Sequence, residues 1–181
     1  QWIFERVVRS MRDAAEDARV EIVTADTKVV DHGKCDGLYV TTTGVGVLRH
    51  ERTIAPSSVR PGDAVLLSGD LGRHGIAVLT AREGATGEAA IESDTAPLAE
   101  TVQALLDAGL DVHCQRDLTR GGLAAALVEI ARTGRVDVRV HEDAVAVRGE
   151  VRAACARFGL NPLHAANAGR FVCLLPREQA E

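Results

Sequence analysis

The chain has 181 residues, a formal net charge of −5, 46% hydrophobic and 26% charged residues, and only 3% aromatics. That length suits one domain or parts of two, and the composition is that of a folded chain with a core of Ala, Val, Leu and Ile. The acidic balance argues against a nucleic-acid module held by a basic face, and the scarcity of aromatics argues against a platform for stacking bases.

Ile3, Val7, Met11, Ala14 or Ala15, and Ala18 recur at helical spacing, which predicts an amphipathic helix over 2–18. Val20–Thr24 reads as a strand, followed directly by Asp26-Thr27-Lys28. Gly37 to Leu48 alternates as a long strand, with Gly44 and Gly46 marking a bulge or a close backbone approach. Residues 49–62 combine two Pro, two Ser and a charge cluster without periodicity, so a domain boundary is placed there. Asp63–Ser68 is a short buried strand. Gly69, Gly72 and Gly75 then lead into a helix from about Ile76. Further helices are expected from Pro97 to a stop at Gly109, from Leu123 to a stop at Gly134, and along Val151, Ala154, Cys155 and Phe158 to Gly159. Val136, Val138 and Val140 alternate as a strand, and Phe171–Leu175 is a last one.

No apolar run approaches the roughly 20 residues of a spanning helix, and the N-terminus lacks a signal-peptide pattern. The chain opens on Gln1 rather than Met, which fits a processed product or a fragment. The cysteines, at 35, 114, 155 and 173, form no Cys-x-x-Cys, so reduced thiols in a cytoplasmic protein are expected.

Three segments could carry chemistry. In an extended chain Asp26 and Lys28 project to one face, roughly 6.5 Å apart. A carboxylate there can bind Mg²⁺ and a lysine can neutralise a phosphoryl group; a surface ion pair is the plainer alternative. In Arg116-Asp117-Leu118-Thr119-Arg120-Gly121-Gly122, a glycine pair opens a helix whose N–H groups favour anions, with Arg120 as a phosphate donor and Asp117 as a metal carboxylate. Ordinary capping by Asp117 or Thr119 is the alternative there. Gly69-Asp70-Leu71-Gly72-Arg73-His74-Gly75 matches neither the dinucleotide nor the Walker pattern, and reads as a tight strand–helix connection.

Taken in order, Thr24–Val30 (TADTKVV), Asp36–Gly46 (DGLYVTTTGVG), Pro61–Gly75 (PGDAVLLSGDLGRHG), Arg116–Gly122 (RDLTRGG) and Asn167–Phe171 (NAGRF) resemble the HypE family of hydrogenase expression/formation proteins, in the aminoimidazole ribonucleotide (AIR) synthetase superfamily. The resemblance implies an α+β, two-domain AIR-synthase-like (PurM-like) architecture with the N-terminal domain only partly present. Residues 1–50 would end the N-terminal ATP-binding and dimerisation domain, 51–62 would be a linker, and 63–181 a truncated C-terminal α/β domain.

The same resemblance implies ATP-dependent dehydration of a carbamoylated C-terminal cysteine to a thiocyanate, the source of cyanide for the iron of [NiFe]-hydrogenase. ATP and Mg²⁺ would be the cofactors. The partners would be the carbamoyltransferase HypF and the HypC–HypD complex, in a cytoplasmic protein that is a homodimer at full length, with no nucleic acid or membrane involved. By resemblance, Lys28, Asp117 and Asn167 would be catalytic. Asp26, Thr27, Lys28, Thr119, Arg120 and Gly121 would bind nucleotide, and Asp26 and Asp117 would share one magnesium-bound triphosphate. A selenophosphate synthetase or thiamine-phosphate kinase relative, or a non-catalytic assembly module, are the rival readings. The chain departs from the family at Ala25 (Gly), at Ala168 (Glu) and in lacking a C-terminal Pro-Arg-x-Cys, so this stretch alone is expected not to complete the dehydration.

Overall fold

The computed structural model describes residues 2–84 and 91–180. It divides into two units, Gln1–Arg52 and Thr53–Glu181.

In the first unit the expected helix is found as α1, Trp2–Asp17. Its periodic stripe is half-buried at Val7, Met11, Ala15 and Ala18, while Trp2, Ile3, Phe4 and Val8 are exposed. Arg19, in the left-handed region at φ 54°, ends it: Val20 N–H donates to Ala15 O and Arg19 N–H to Glu16 O, the paired bonds of a Schellman stop. The strands expected over 20–24 and 37–48 are not formed, since no ladder is assigned to them. Alternation supplies a face, but a strand also needs a neighbour to take its N–H and C=O groups. None is found among the described residues, and Val23, Val29, Val45, Val47 and Leu48 lie exposed.

The second unit is built on a three-stranded antiparallel sheet. Its strands are β1 (Asp63–Leu67), β2 (Cys114–Asp117) and β3 (Phe171–Pro176), in the order β1-β3-β2. The helices are α2 (Arg73–Arg82), α3 (Ala99–Asp107), α4 (Gly122–Gly134) and α5 (Gly149–Phe158). β3 is central and covered on both faces, so its FVCLL run is apolar throughout rather than alternating. Val172 and Leu174 join Leu123, Ala126, Leu127 and Ile130 of α4 in one core. Phe171, Cys173 and Leu175 face the other way, towards Val102 and Leu105 of α3. Ile76 of α2 packs with Val151 and Cys155 of α5 in a third cluster.

One expectation fails here. Val136, Val138 and Val140 form no ladder, although Val136 and Val138 pack against the α4 core. α4 ends at Gly134 as expected, though not through that glycine's own conformation. Arg135, at φ 53°, takes the left-handed position, and Gly134 is small because a Cβ there would come within 2.8 Å of the Pro56 carbonyl. The sequence gives no sign of β2, a polar Cys-Gln-Arg-Asp strand that takes its register from β3 (Asp117 opposite Phe171). At one end of the sheet buried His113 clamps the strands, with Nδ1 2.8 Å from Asp63 Oδ2 and Nε2 3.2 Å from Asp111 Oδ2.

Candidate functional site

At the other end of the sheet, β1 and β2 finish and β3 begins, so three loops meet there. Asn167, 1% exposed, holds them together. Its Oδ1 accepts from Gly72 N–H at 2.7 Å, and its Nδ2 donates to Leu118 O at 3.1 Å and Ala165 O at 3.0 Å. Its own N–H donates to Leu118 O at 3.0 Å. With both amide hydrogens committed to carbonyls, the side chain positions backbone, and Oδ1 is already engaged by a main-chain N–H.

Asp117 sits at the tip of β2 with its side chain 52% exposed. It accepts from Arg116 Nη1 and from Thr119 Oγ1. Partial burial works to raise its pKa, but the Thr119 hydroxyl and the Arg116 charge outweigh it and hold the carboxyl below its ordinary range. Arg116 also reaches α4, donating from Nε and Nη2 to Glu129 Oε2 at 3.2 and 3.1 Å. Thr119 and Arg120 are exposed.

Neither Asp117 nor Thr119 caps α4. The N-cap residue is Gly121, at φ 74°, and no side-chain cap bond is made. The first-turn amides therefore keep their positive end without a side-chain acceptor. The glycine pair has a split role: Gly121 is exposed, whereas Gly122 is buried, at φ 59°, where a Cβ would come within 2.6 Å of the Ala165 and Leu163 carbonyls. Gly122 thus serves close packing rather than approach to an anion.

The loop after β1 is tied in by charge. Asp70 Oδ1 accepts from Arg170 Nη2 at 2.6 Å, and Asp70 Oδ2 lies 2.8 Å from Arg73 Nε and 3.1 Å from Arg148 Nε. Burial works to raise the Asp70 pKa; the bonds from Arg170 and Arg73 prevail and lower it. The 93–96 segment packs on the turn that carries Asn167, and Asp94 Oδ1 accepts from Ala168 N–H at 3.0 Å. In the sequence Asp70 stands out only as part of the Gly69–Gly75 connection, and Asp94 only by its place shortly before a helix. A cleft of about 1130 Å³ between β1 and residues 136–146 reaches these loops only at Gly69 and Asp70.

Asp26, Thr27 and Lys28 belong to the first unit, where all three are exposed and follow no strand. Asp26 Oδ1 accepts from Thr27 N–H at 2.8 Å. No cluster of three His, Cys, Asp or Glu suited to a metal occurs among the described residues. Asp117 nevertheless fits Mg²⁺, which keeps most of its waters and takes one or two protein carboxylates beside phosphate oxygens: it is held ionised and half in solvent. Cys114, Cys155 and Cys173 are buried free thiols; burial first, and Cys173 nearby second, push Cys114 up to about 11. No helix among the described residues is long and apolar enough to cross a membrane.

The C-terminal domain model of AIR synthase related proteins matches residues 60–181, and the chain belongs to that family. Within it, the chain is homologous to HypE. It is 48% identical to the carbamoyl dehydratase HypE of Azotobacter vinelandii, over 97% of this chain and 52% of that protein. A crystal structure of the hydrogenase maturation protein HypE in complex with ATP superposes with a TM-score of 0.95 at 46% identity, covering 98% of this chain and 53% of that one. HypE in a HypE–HypF complex gives a TM-score of 0.89 at 37% identity, over 98% and 58%. The chain spans about half the length of the curated relatives it matches.

Proposed function

We propose that this chain takes part in the ATP-dependent dehydration of a carbamoylated C-terminal cysteine to a thiocyanate, in [NiFe]-hydrogenase maturation. The observation that carries the reading is the ionised, half-exposed Asp117 beside the uncapped N-terminus of α4. It is supported by the likeness to an ATP-bound HypE.

An amide oxygen is a poor leaving group, and phosphorylation makes it a good one. Catalysis then consists largely of positioning and of neutralising charge. The α4 amides and Arg120 would hold phosphate oxygens, with Gly121 leaving room beside them. Thr119 and Arg116 keep Asp117 oriented and anionic, and Asn167 fixes the loop by its bonds to Leu118 O. Lys28 would neutralise phosphate charge, with Thr27 as a further contact. Asp117 would hold Mg²⁺, and Asp26 is a candidate magnesium carboxylate of the first unit. Bound there, the ion supplies neutralisation of the transferring phosphoryl group. The carbamoyl group would come from HypF, with HypC–HypD downstream, in a cytoplasmic homodimer.

Calorimetry with MgATP tests the reading. Saturable binding, weakened several-fold by Lys28→Ala, is expected. A chain that takes up no nucleotide yet binds hydrogenase-maturation partners would instead be an assembly module.

A further inference from the structure

Three guanidinium groups converge on the Asp70 carboxylate: Arg170 Nη2 lies 2.6 Å from Oδ1, and Arg73 Nε and Arg148 Nε lie 2.8 and 3.1 Å from Oδ2. They come from separate segments: Arg73 opens α2, Arg148 is the N-cap residue of α5, and Arg170 directly precedes β3. Their free donors differ. Arg170 spends every nitrogen, Nε on Asp70 O at 3.1 Å, Nη1 on Gly169 O at 2.8 Å and Nη2 on the carboxylate. Arg73, mostly buried, directs Nε and Nη2 at Asp70. Arg148 touches Asp70 only through Nε. Its Nη1 is 3.9 Å from Glu150 Oε1, too far for a hydrogen bond, and neither Nη has an acceptor among the described residues. Asp70 cancels one of the positive charges, and Glu150, half in solvent, offsets a second only weakly. A surplus of positive charge remains. It is also within reach of a ligand: the Arg148 side chain is 51% exposed, and the 1130 Å³ cleft ends at Gly69 and Asp70. The cluster is tied to the Asp117 loop through the sheet. Arg170 O accepts from Leu118 N–H at 3.1 Å, and Phe171, the next residue, is paired with Asp117. Two free Nη groups on one guanidinium match the paired oxygens of a carboxylate.

We propose that Arg148, held in place by Asp70, binds the α-carboxylate of the C-terminal cysteine that carries the carbamoyl group. The inference rests on the dehydration reading, whose substrate is a chain end. Only a last residue has a carboxylate on its Cα. In S-carbamoylcysteine just Cβ and the sulfur lie between that Cα and the carbamoyl carbon. The carboxylate therefore travels with the reacting group, and its partner belongs at the same end of the sheet as Asp117. Arg148 supplies the paired donors, and Arg73 adds charge behind it. Asp70 and Arg170 are positioning residues: Arg170 fixes Asp70, and Asp70 fixes Nε of Arg148 while both Nη groups stay free. An internal cysteine, whose carbonyl is tied up in a peptide bond, brings no such charge. The site thus distinguishes a chain end from the same side chain within a chain.

The test titrates the 181-residue chain, labelled with ¹⁵N-arginine, with N-acetyl-S-carbamoylcysteine, with the corresponding cysteinamide, and with inorganic phosphate. The acid is expected to move the Arg148 side-chain N–H resonances and to bind about tenfold or more tightly than the amide. In Arg148→Gln that preference is expected to vanish. In Arg148→Lys it is expected to return only in part, since an ammonium offers charge without the paired donors. No binding of the acid, equal affinity for acid and amide in the wild type, unmoved Arg148 resonances, or a preference that survives in Arg148→Gln would overturn the inference. Phosphate that displaces the acid from Arg148 at equal or lower concentration would overturn it too, and would assign the site to a phosphoryl group. The wild-type comparison of acid with amide decides the question even if the variants fail to fold. Absence of MgATP binding would count against the dehydration reading itself, separately from the acid–amide preference.

Discussion

Val45 and Leu174 are both apolar residues in sequence runs that alternate or cluster as strands do, yet one is 99% exposed and the other 1%. In the second unit β3 has a neighbour on each side and a helix on each face, so every apolar residue from Phe171 to Leu175 finds cover. In the first unit the run from Gly37 to Leu48 has the same raw material and no ladder. Strand-forming sequence is therefore a statement about what a segment does when a partner is present, and the two units of one chain show both outcomes.

The sharpest way to break that comparison is truncation at its two ends. Leu174→Ala is expected to destabilise the second unit by roughly 2–5 kcal/mol, while Val45→Ala changes stability by less than about 0.5 kcal/mol. Denaturant melts of the two variants measure the difference; equal effects would mean that Val45 is packed after all. Next comes Asn167→Ala, which leaves Gly72 N–H and the Leu118 and Ala165 carbonyls without their side-chain partner. A loss of about 2–4 kcal/mol is expected in the same melts, together with faster amide exchange at Gly72.

A smaller effect separates the units by pH. The Asp70 carboxyl is held below its ordinary range in the folded state, so the unfolded chain takes up its proton first as the solution is acidified. The stabilisation is fully present above the unfolded pKa of about 3.9 and is lost as pH falls through the lower folded value. Asp70→Asn is expected to lower the melting temperature at neutral pH and to flatten its decline between about pH 5 and 2. An unchanged acid slope would show that Asp117 and other carboxylates carry the dependence.

The helices were legible because amphipathic spacing and glycine or proline punctuation act locally: α1, α3, α4 and α5 fall within a few residues of expectation. β1 and β3 were legible as short apolar runs. β2 was not, since Cys114–Asp117 is a strand only by virtue of β3 beside it. The site divides the same way. Asp117, Thr119 and Arg120 stand out by residue type at a helix entrance, and Asn167 by resemblance. That Asn167 spends its amide on three backbone groups, that Gly122 is demanded by the carbonyls of 163 and 165, and that Asp94 keeps an unanswered oxygen are consequences of chain segments distant in sequence. No local pattern encodes such contacts.

The phosphate role of the Asp117–Gly122 loop is most directly tested by amide resonances as MgATP is added to the ¹⁵N-labelled chain. The account predicts saturable shifts at Asp117, Thr119, Gly121 and the first turn of α4, abolished in Asp117→Asn, with the α5 amides unmoved. Nucleotide binding that leaves these resonances in place, or that persists unchanged in Asp117→Asn, would contradict it.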